Sequence, residues 1–305
     1  MKAQAAKLFD LAFLTIGLIG IGSLSWYAGG LIFAVIAGIG HGMVDTAGHA
    51  AMSDLYPDRV SSALNKMNMF FGIGCLVGPL ISGSILSAGY NWRYVYYVQA
   101  LIGAVIVLYV SLQEFPKCTD SSEPNHEKGK FFLSGSILML SLVMFIYSGV
   151  GHSINTWINK YMGDVINFSI FFAAGSLAIY NLGLTLGRWA TSIVAGKADN
   201  FQLILYSSIG SLCSILLALY SSNGLLIVIG LGLTGFFFGG LFPTTVAIGT
   251  TMYPDKAGTV TGILVTIAAL GSMSIPAMIG FISQGKGLED TIKSLVILVA
   301  ILVVV

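Results

Sequence analysis

The stretch Leu55-Tyr56-Pro57-Asp58-Arg59 returns 197 positions later as Met252-Tyr253-Pro254-Asp255-Lys256. At the same offset, several glycines, a proline and an alanine coincide without a gap: Gly38 with Gly235, Gly42 with Gly239, Ala50 with Ala247, Gly74 with Gly271, Pro79 with Pro276, and Gly83 with Gly280. Because glycine and proline punctuate the backbone, their fixed offset indicates equal helix lengths and equal break points. The sequence therefore predicts two copies of one helical unit, which in a membrane protein points to a transporter.

The composition of the chain is that of a membrane protein. Hydrophobic residues make up 56% of its 305 residues and charged residues only 9%, whereas a soluble domain carries about 25% charged residues. The mean hydropathy is +0.88. A formal net charge of +1 gives no strongly basic or acidic face for a nucleic-acid partner. We therefore predict an all-α polytopic membrane protein whose surroundings are the lipid bilayer.

Apolar runs near the length of a membrane-spanning helix, about 20 residues, occur ten times. They lie near residues 8–26, 30–54, 63–88, 93–112, 131–157, 168–195, 202–221, 224–251, 258–284 and 290–305. The one long polar connection falls within residues 113–130. We expect it to be a linker between an N-terminal bundle, residues 1–112, and a C-terminal bundle, residues 131–305.

The offset also predicts the number of helices in a complete chain. The second unit begins near residue 131, so its counterpart would begin about 66 residues before Met1 if the two repeats are equal in length. The helices equivalent to the runs 131–157 and 168–195 are therefore expected to be absent from the amino-terminal side. This interpretation makes the chain an incomplete first bundle followed by a full second one, with ten of twelve helices.

Two stretches resemble motifs of the major facilitator superfamily. Gly187-Arg188 with Gly196-Lys197-Ala198-Asp199 is similar to the superfamily's loop motif, in which G-R is followed by G-x-x-x-D. Gly74-Cys75-Leu76-Val77-Gly78-Pro79-Leu80-Ile81-Ser82-Gly83 is similar to the G-x-x-x-G-P-x-x-G-G motif of its fifth helix, with Ser82 in place of one glycine. The resemblance covers essentially the whole chain and implies that the ten runs are helices three to twelve of that fold.

Two further stretches resemble sugar permeases of the fucose:proton symporter type within that superfamily. Residues 38–45, Gly-Ile-Gly-His-Gly-Met-Val-Asp, are followed by His49, where those permeases have asparagine. Leu241-Phe242-Pro243-Thr244 is similar to the F-P-T of their tenth helix. The resemblance implies a secondary active transporter that moves a small polar solute by alternating access, with a sugar-like solute and proton coupling favoured.

Other functions stay open on the sequence alone. The stretch 74–83 also resembles a motif of antiporters, so the chain is alternatively an exporter of amphipathic compounds by proton antiport. A non-transporting membrane sensor or an inactive fragment is the third alternative. The sequence shows no nucleophile with a base, zinc motif or phosphate-binding loop, so we expect no enzyme activity, cofactor or metal, and a monomer whose partners are a small-molecule solute and protons.

Basic residues give the orientation of the chain. With the helix order of the superfamily, residues 1–7, 55–66, 113–130, 188–201 and 252–257 face the cytoplasm. Ten of the fourteen lysines and arginines lie in these segments. This bias satisfies the positive-inside rule. We therefore expect a multi-pass protein of the cell membrane with the linker 113–130 in the cytoplasm.

Asp45 is the acidic residue nearest the middle of a predicted span. A carboxylate at the bilayer centre costs at least about 2.5 kcal/mol, so it needs water, a partner or a proton. His41 and His49 lie four residues before and after it and share its helix face. We interpret the three as a proton-coupling and solute site. The alternatives are a structural aspartate hydrogen-bonded across helices and, through the two histidines, a metal site.

Other polar residues are candidates for solute binding or gating. His152, Asn155 and Asn159 share one face of the fifth run, and Asn181 lies in the sixth. Amides both donate and accept hydrogen bonds and so suit sugar hydroxyls, although polarity is also expected at the outer end of a helix. For gating, we predict ion pairs at the cytoplasmic ends between Asp58 and Arg59 and between Arg188 and Asp199; ordinary interfacial charge is the alternative.

Overall fold

The computed structural model describes residues 2–112, 134–195 and 197–305. In these segments the backbone is almost entirely helical and contains no β-strand. The α-helices are α1 (Lys2–Ser23), α2 (Tyr27–Leu55), α3 (Val60–Ser87), α4 (Arg93–Ser111), α5 (Gly135–Asp164), α6 (Ile170–Val194), α7 (Asn200–Tyr220), α8 (Gly224–Gly239), α9 (Leu241–Met252), α10 (Ala257–Lys286), α11 (Leu288–Lys293) and α12 (Leu295–Val304). This result confirms the predicted all-α fold class.

The ten apolar runs are helical over most of their described residues, but two of them contain a break. In the run 224–251, α8 ends at Gly239 and α9 begins at Leu241. Pro243 has no N–H to donate to the carbonyl of Gly239, so the hydrogen-bond ladder is interrupted there. Among the described residues, seven helical segments are long and apolar enough to cross a membrane, and one of them, Gly224–Met252, includes this break. The number of spans, ten, therefore stays a prediction.

The bounds of the helices repeat at the offset found in the sequence. Helix α2 ends at Leu55 and α9 ends at Met252, and each is followed by a short 3₁₀ turn, Pro57–Arg59 or Pro254–Lys256. The tyrosine before each turn has nearly the same backbone conformation, with φ −130° and ψ 58° at Tyr56 and φ −133° and ψ 65° at Tyr253. The repeated Tyr-Pro-Asp stretch thus connects two helices with the same backbone geometry in both copies.

The contacts within the described residues divide them into two compact units. One comprises residues 2–54 and 77–112, and the other comprises residues 55–76 with the described residues from 134 to 305. The amino-terminal half of α3 therefore groups with the second unit. The linker 113–130 lies outside the described residues, and the domain limits 1–112 and 131–305 stay a prediction.

In the first unit, α1 packs against α2 and α4. A Cβ atom added at Gly17 would lie 2.5 Å from the backbone nitrogen of Ala37, which shows how closely α1 approaches α2. On the other side, the Tyr97 hydroxyl of α4 donates a hydrogen bond of 3.0 Å to the carbonyl oxygen of Gly22. Close packing at small residues and one side-chain hydrogen bond thus hold these three helices together.

In the second unit, a continuous buried core joins α5, α6, α7, α8 and α10. Its largest fully buried side chains include Tyr161, Tyr180 and Phe238. The rings of Tyr147 and Phe238 lie 5.5 Å apart between their centroids, which links α5 to α8. Large apolar side chains elsewhere on these helices are exposed, as expected where the surroundings are lipid.

Glycines bring the backbones of α6 and α8 into direct contact. A Cβ atom at Gly183 would collide with the carbonyl oxygen of Gly232, and one at Gly187 with that of Phe236. From the facing helix, a Cβ atom at Gly235 would collide with the carbonyl oxygen of Tyr180. Such close approach replaces the hydrophobic force that is missing between helices in lipid.

We expect Gly183→Ala to lower the thermal unfolding midpoint by several degrees, because the added methyl group overpacks the contact between α6 and α8 by about 1–3 kcal/mol. The control is Gly175→Ala in the same helix, where an added Cβ atom has open space within 4 Å. That substitution should leave the midpoint unchanged or raise it slightly. Thermal denaturation of the purified proteins in one detergent measures both effects, and equal midpoints would contradict the packing argument.

Candidate functional site

Asp45 and His49 form a contact pair on α2. The side chain of His49 is 1% exposed, and its Nδ1 lies 2.8 Å from the carbonyl oxygen of Asp45 and 3.3 Å from a carboxylate oxygen of the same residue. Because Nδ1 carries a single hydrogen, the nearer carbonyl oxygen is its main acceptor. The carboxylate of Asp45, whose side chain is 30% exposed, is left with one weak contact among the described residues. His41, two helical turns before His49, is exposed.

The polar residues predicted on α5 and α6 meet in one place. Asn181 donates from its amide nitrogen to the side-chain oxygen of Asn155 at 3.2 Å, and Asn155 donates to the carbonyl oxygen of Gly151 at 2.9 Å. His152 lies near Asn155 on α5, with its Nδ1 2.9 Å from the carbonyl oxygen of Ser148. Asn159 is exposed on the same helix. Asn181 also donates to the carbonyl oxygen of Leu177, so the pair keeps one N–H of Asn155 and the side-chain oxygen of Asn181 for hydroxyl groups of a solute.

Arg188 is buried within α6 and does not pair with Asp199. Its side chain is only 5% exposed. Its Nη1 donates a hydrogen bond of 3.0 Å to the carbonyl oxygen of Asn68, and its guanidinium lies 5.4 Å from the centroid of the Phe71 ring. Asp199 instead caps α7 and accepts from the backbone nitrogens of Phe201 and Gln202. The predicted ion pair is therefore absent from this structure, while a gating role for either residue stays a prediction.

The second predicted ion pair is also absent among the described contacts. Asp58 and Arg59 lie in the 3₁₀ turn Pro57–Arg59, and the guanidinium of Arg59 lies over the ring of Tyr56, 5.4 Å from its centroid. Adjacent residues in such a turn point in different directions, so their charged groups need not meet. Their gating role likewise stays a prediction.

The amino-terminal half of α3 makes polar contacts that pattern reasoning missed. Asn65 donates to the hydroxyl oxygen of Thr244 at 3.2 Å, and Ser62 donates to the carbonyl oxygen of Ser192. Together with the bond from Arg188 to Asn68, these bonds join α3 to α6 and α9. The available signal was a polar stripe, with Ser61, Asn65 and Asn68 at helical spacing in an otherwise apolar segment.

Comparisons with known proteins agree on one family. The family model described as Major Facilitator Superfamily matches residues 8–303. An uncharacterized MFS-type transporter, YfkL of Bacillus subtilis, is 24% identical over 290 residues, which cover 89% of this chain and 70% of that protein. The glucose/mannose transporter GlcP of the same organism is 23% identical over 271 residues, covering 82% of this chain and 65% of that protein. The chain thus spans about two thirds of the length of these relatives.

Solved structures give the same fold. The transporter FucP in its outward conformation has a TM-score of 0.83 at 16% identity, and the match covers 99% of this chain and 82% of that one. A second structure of the same protein, described as the E. coli fucose:proton symporter, has a TM-score of 0.82 at 17% identity. The human organic anion transporter MFSD10 has a TM-score of 0.81 at 17% identity, with coverage of 99% and 76%. At these identities the similarity concerns the fold.

Asp45→Asn should leave the protein folded, because the carboxylate makes only one weak side-chain contact within the described part of the chain. We expect the folded yield and the unfolding midpoint to stay within experimental error of the wild type. Size-exclusion chromatography and thermal denaturation in detergent measure both. A large loss of folded protein would instead favour the structural interpretation of Asp45.

Proposed function

The chain belongs to the Major Facilitator Superfamily, and on this premise we propose that it is a secondary active transporter of a small polar solute, sugar-like in chemistry and coupled to protons. The fold is that of a multi-pass membrane protein, and the family consists of transporters, not enzymes. Alternating access is the transport mode that the fold implies. Solute, coupling ion and direction of flux are the parts of the proposal that need an experiment.

Proton coupling rests on the environment of Asp45. The residue lies within α2, one of the helices apolar enough to span a membrane. Its carboxylate is partly exposed and has one weak contact among the described residues, to a histidine that is itself buried. An ionised carboxylate in such a place is costly, and a proton removes the charge without any change of packing.

A sugar-like solute is supported by the paired amides of α5 and α6. Asn155 is exposed, and Asn181, its hydrogen-bond partner, is partly exposed. Both side chains retain groups that can donate to or accept from sugar hydroxyls. Among the similar proteins, GlcP is named as a glucose/mannose transporter, and FucP is named as a fucose:proton symporter. These names are of other proteins and support the solute class only by similarity.

Export of amphipathic compounds by proton antiport is the second candidate. It is supported by the resemblance of residues 74–83 to an antiporter motif and by a relative, Multidrug resistance protein 3 of Bacillus subtilis. That protein is 28% identical over 171 residues, which cover 55% of this chain and 32% of that protein. The sign of proton movement separates the candidates, because symport moves protons with the solute and antiport moves them against it.

The proposal includes a location and an assembly state. The protein lies in the cell membrane as a monomer, with residues 113–130 on the cytoplasmic side. The excess of lysine and arginine in the segments assigned to the cytoplasm supports this orientation. Protease cleavage in the linker of right-side-out and inverted vesicles tests it.

The proton-coupling hypothesis predicts that Asp45→Asn abolishes accumulation driven by a proton gradient in proteoliposomes. The ratio of internal to external solute should fall to about 1, because the amide cannot bind or release a proton. Counterflow, in which solute exchanges without a gradient, should continue. The matched control is Asp54→Asn, an exposed residue near the end of the same helix, which should accumulate solute like the wild type.

Normal accumulation by the Asp45→Asn variant would contradict proton coupling through this residue. Loss of both accumulation and counterflow in a well-folded variant would instead place Asp45 in solute binding. Absence of any flux in the wild-type protein would favour the non-transporting alternative.

The solute-class hypothesis predicts that combined Asn155→Ala and Asn181→Ala substitutions raise the KM for a transported sugar about 10-fold, because each lost hydrogen bond weakens binding by about 0.5–1.5 kcal/mol. The number of protons moved per sugar should not change. Asn223→Ala, at the exposed amino-terminal cap of α8, is the control for loss of an amide elsewhere. An unchanged KM in the double variant would remove these residues from the solute site.

A further inference from the structure

Among the described residues, Arg188 is a buried cation without an anionic partner. Its side chain is 5% exposed and lies within α6. In this part of the chain its guanidinium contacts the carbonyl oxygen of Asn68 and the ring of Phe71, and no carboxylate lies within ion-pair distance. Its Nε is buried and has no hydrogen-bond partner there. Ionised side chains inside membrane proteins are usually paired, so an unpaired guanidinium is a candidate binding group for an anion.

Four other buried polar atoms of the same compact unit also lack partners within the described segments, and two of them lie on the helices that Arg188 joins, α6 and α3. The hydroxyl of Tyr180, on α6, is fully buried. The side-chain oxygen of Asn65 is buried and unpaired, and Asn65 lies one helical turn before Asn68, whose carbonyl oxygen accepts from Arg188. Buried polar groups almost always have partners. The three atoms belong to the two helices that the bond from Arg188 to Asn68 joins, and they offer two donors and one acceptor to a ligand.

We infer that Arg188 binds the carboxylate of the transported solute and that the solute is a hydroxy acid, such as a sugar acid, instead of a neutral sugar. This inference rests on the proposed transport function and narrows its solute class. The Nε–H and the Tyr180 hydroxyl supply donors for a carboxylate, and the side-chain oxygen of Asn65 accepts from a hydroxyl of the solute. A single guanidinium balances one negative charge, so a monocarboxylate fits better than a doubly charged phosphate ester.

The position of Arg188 on α6 also fits a solute with hydroxyl groups. Asn181, Thr185 and Arg188 follow one another at helical spacing and share a face. Asn181 and Arg188 are two turns apart, about 10 Å along the axis. A sugar acid held by its carboxylate at Arg188 thus extends toward the amides of Asn181 and Asn155, which are hydrogen-bonded to each other.

Binding at Arg188 requires α3 to move away from α6. In this structure the Asn68 carbonyl oxygen occupies one guanidinium nitrogen, and a Cβ atom at Gly72 would lie 2.5 Å from the hydroxyl oxygen of Thr185. The solute carboxylate therefore replaces the Asn68 carbonyl oxygen as acceptor when the two helices separate. Because one acceptor replaces the other at Arg188, binding of the solute and separation of α3 from α6 are coupled.

The experiment compares equilibrium binding of D-glucuronate and D-glucose to the purified protein in a neutral detergent, with sodium chloride added to equal ionic strength. These probes differ only at the carbon that carries the carboxylate. We expect D-glucuronate to bind at least about 10-fold more tightly. Arg188→Gln should reduce glucuronate affinity about 10- to 100-fold, the range expected for a lost charge-assisted hydrogen bond, and should leave glucose affinity nearly unchanged.

Arg93→Gln is the matched control. Arg93 also has a buried, unpaired Nε and a guanidinium over an aromatic ring, 5.3 Å from the centroid of Trp92, but it is the first residue of α4. This variant should bind both probes like the wild type. Arg188→Lys keeps the charge without the planar fork and should give an intermediate affinity for glucuronate.

Equal or tighter binding of D-glucose by the wild type overturns the inference, and this comparison needs no variant to fold. Glucuronate preference that persists in a folded Arg188→Gln variant also overturns it. A further arm replaces zwitterionic lipid with phosphatidylglycerol in nanodiscs. Stabilisation by that lipid without an effect of glucuronate means that Arg188 binds a headgroup, which again contradicts a solute role. None of these binding results tests proton-coupled uptake of a neutral sugar. The transport assays of the Asp45 variants test that proposal separately.

Discussion

The direct backbone contact between α6 and α8 is the constraint on which the second unit depends. Between helices in lipid the hydrophobic effect supplies no attraction, so the helices must gain dispersion energy and weak polar contacts by close approach. Glycines on both helices permit that approach, and a Cβ atom at Gly239 would lie 2.7 Å from the backbone nitrogen of Arg188. The same contact therefore fixes the axial position and the rotation of α6. These two in turn set the direction in which the side chain of Arg188 points.

Many polar side chains of the described helices are hydrogen-bonded within their own helix. Thr185, Thr234 and Thr245 each donate to the carbonyl oxygen four residues earlier, a local bond that needs no partner helix. Such residues carry little functional information. The informative ones are those that local bonding does not satisfy, and among the described residues they include Arg188 and Tyr180.

The parts of the fold that depend on local chemistry could be predicted from the sequence. The Tyr-Pro-Asp repeat marked where α2 and α9 end, because proline and the turn residues act within a few positions of themselves. The sequence did not predict the break at Gly239. Pro243 lacks one backbone N–H, but the apolar residues continue through the run 224–251 without interruption, which favoured a single helix. Arg188 was paired with the nearby Asp199, whereas its contacts are Asn68 and Phe71. Residues 120 positions apart cannot be brought together by any local rule.

Asp45 and Arg188 show two different solutions to one electrostatic problem. A carboxylate in a low-dielectric place can lose its charge by taking up a proton, so Asp45 needs no permanent counter-ion. A guanidinium keeps its proton at every physiological pH, so Arg188 can be neutralised only by an anion that comes to it. Under the two proposals each residue takes a mobile species of opposite sign, a proton at Asp45 and a carboxylate at Arg188. A transporter that moves an acid with a proton needs these two places, because the two cargoes together carry no net charge across the membrane.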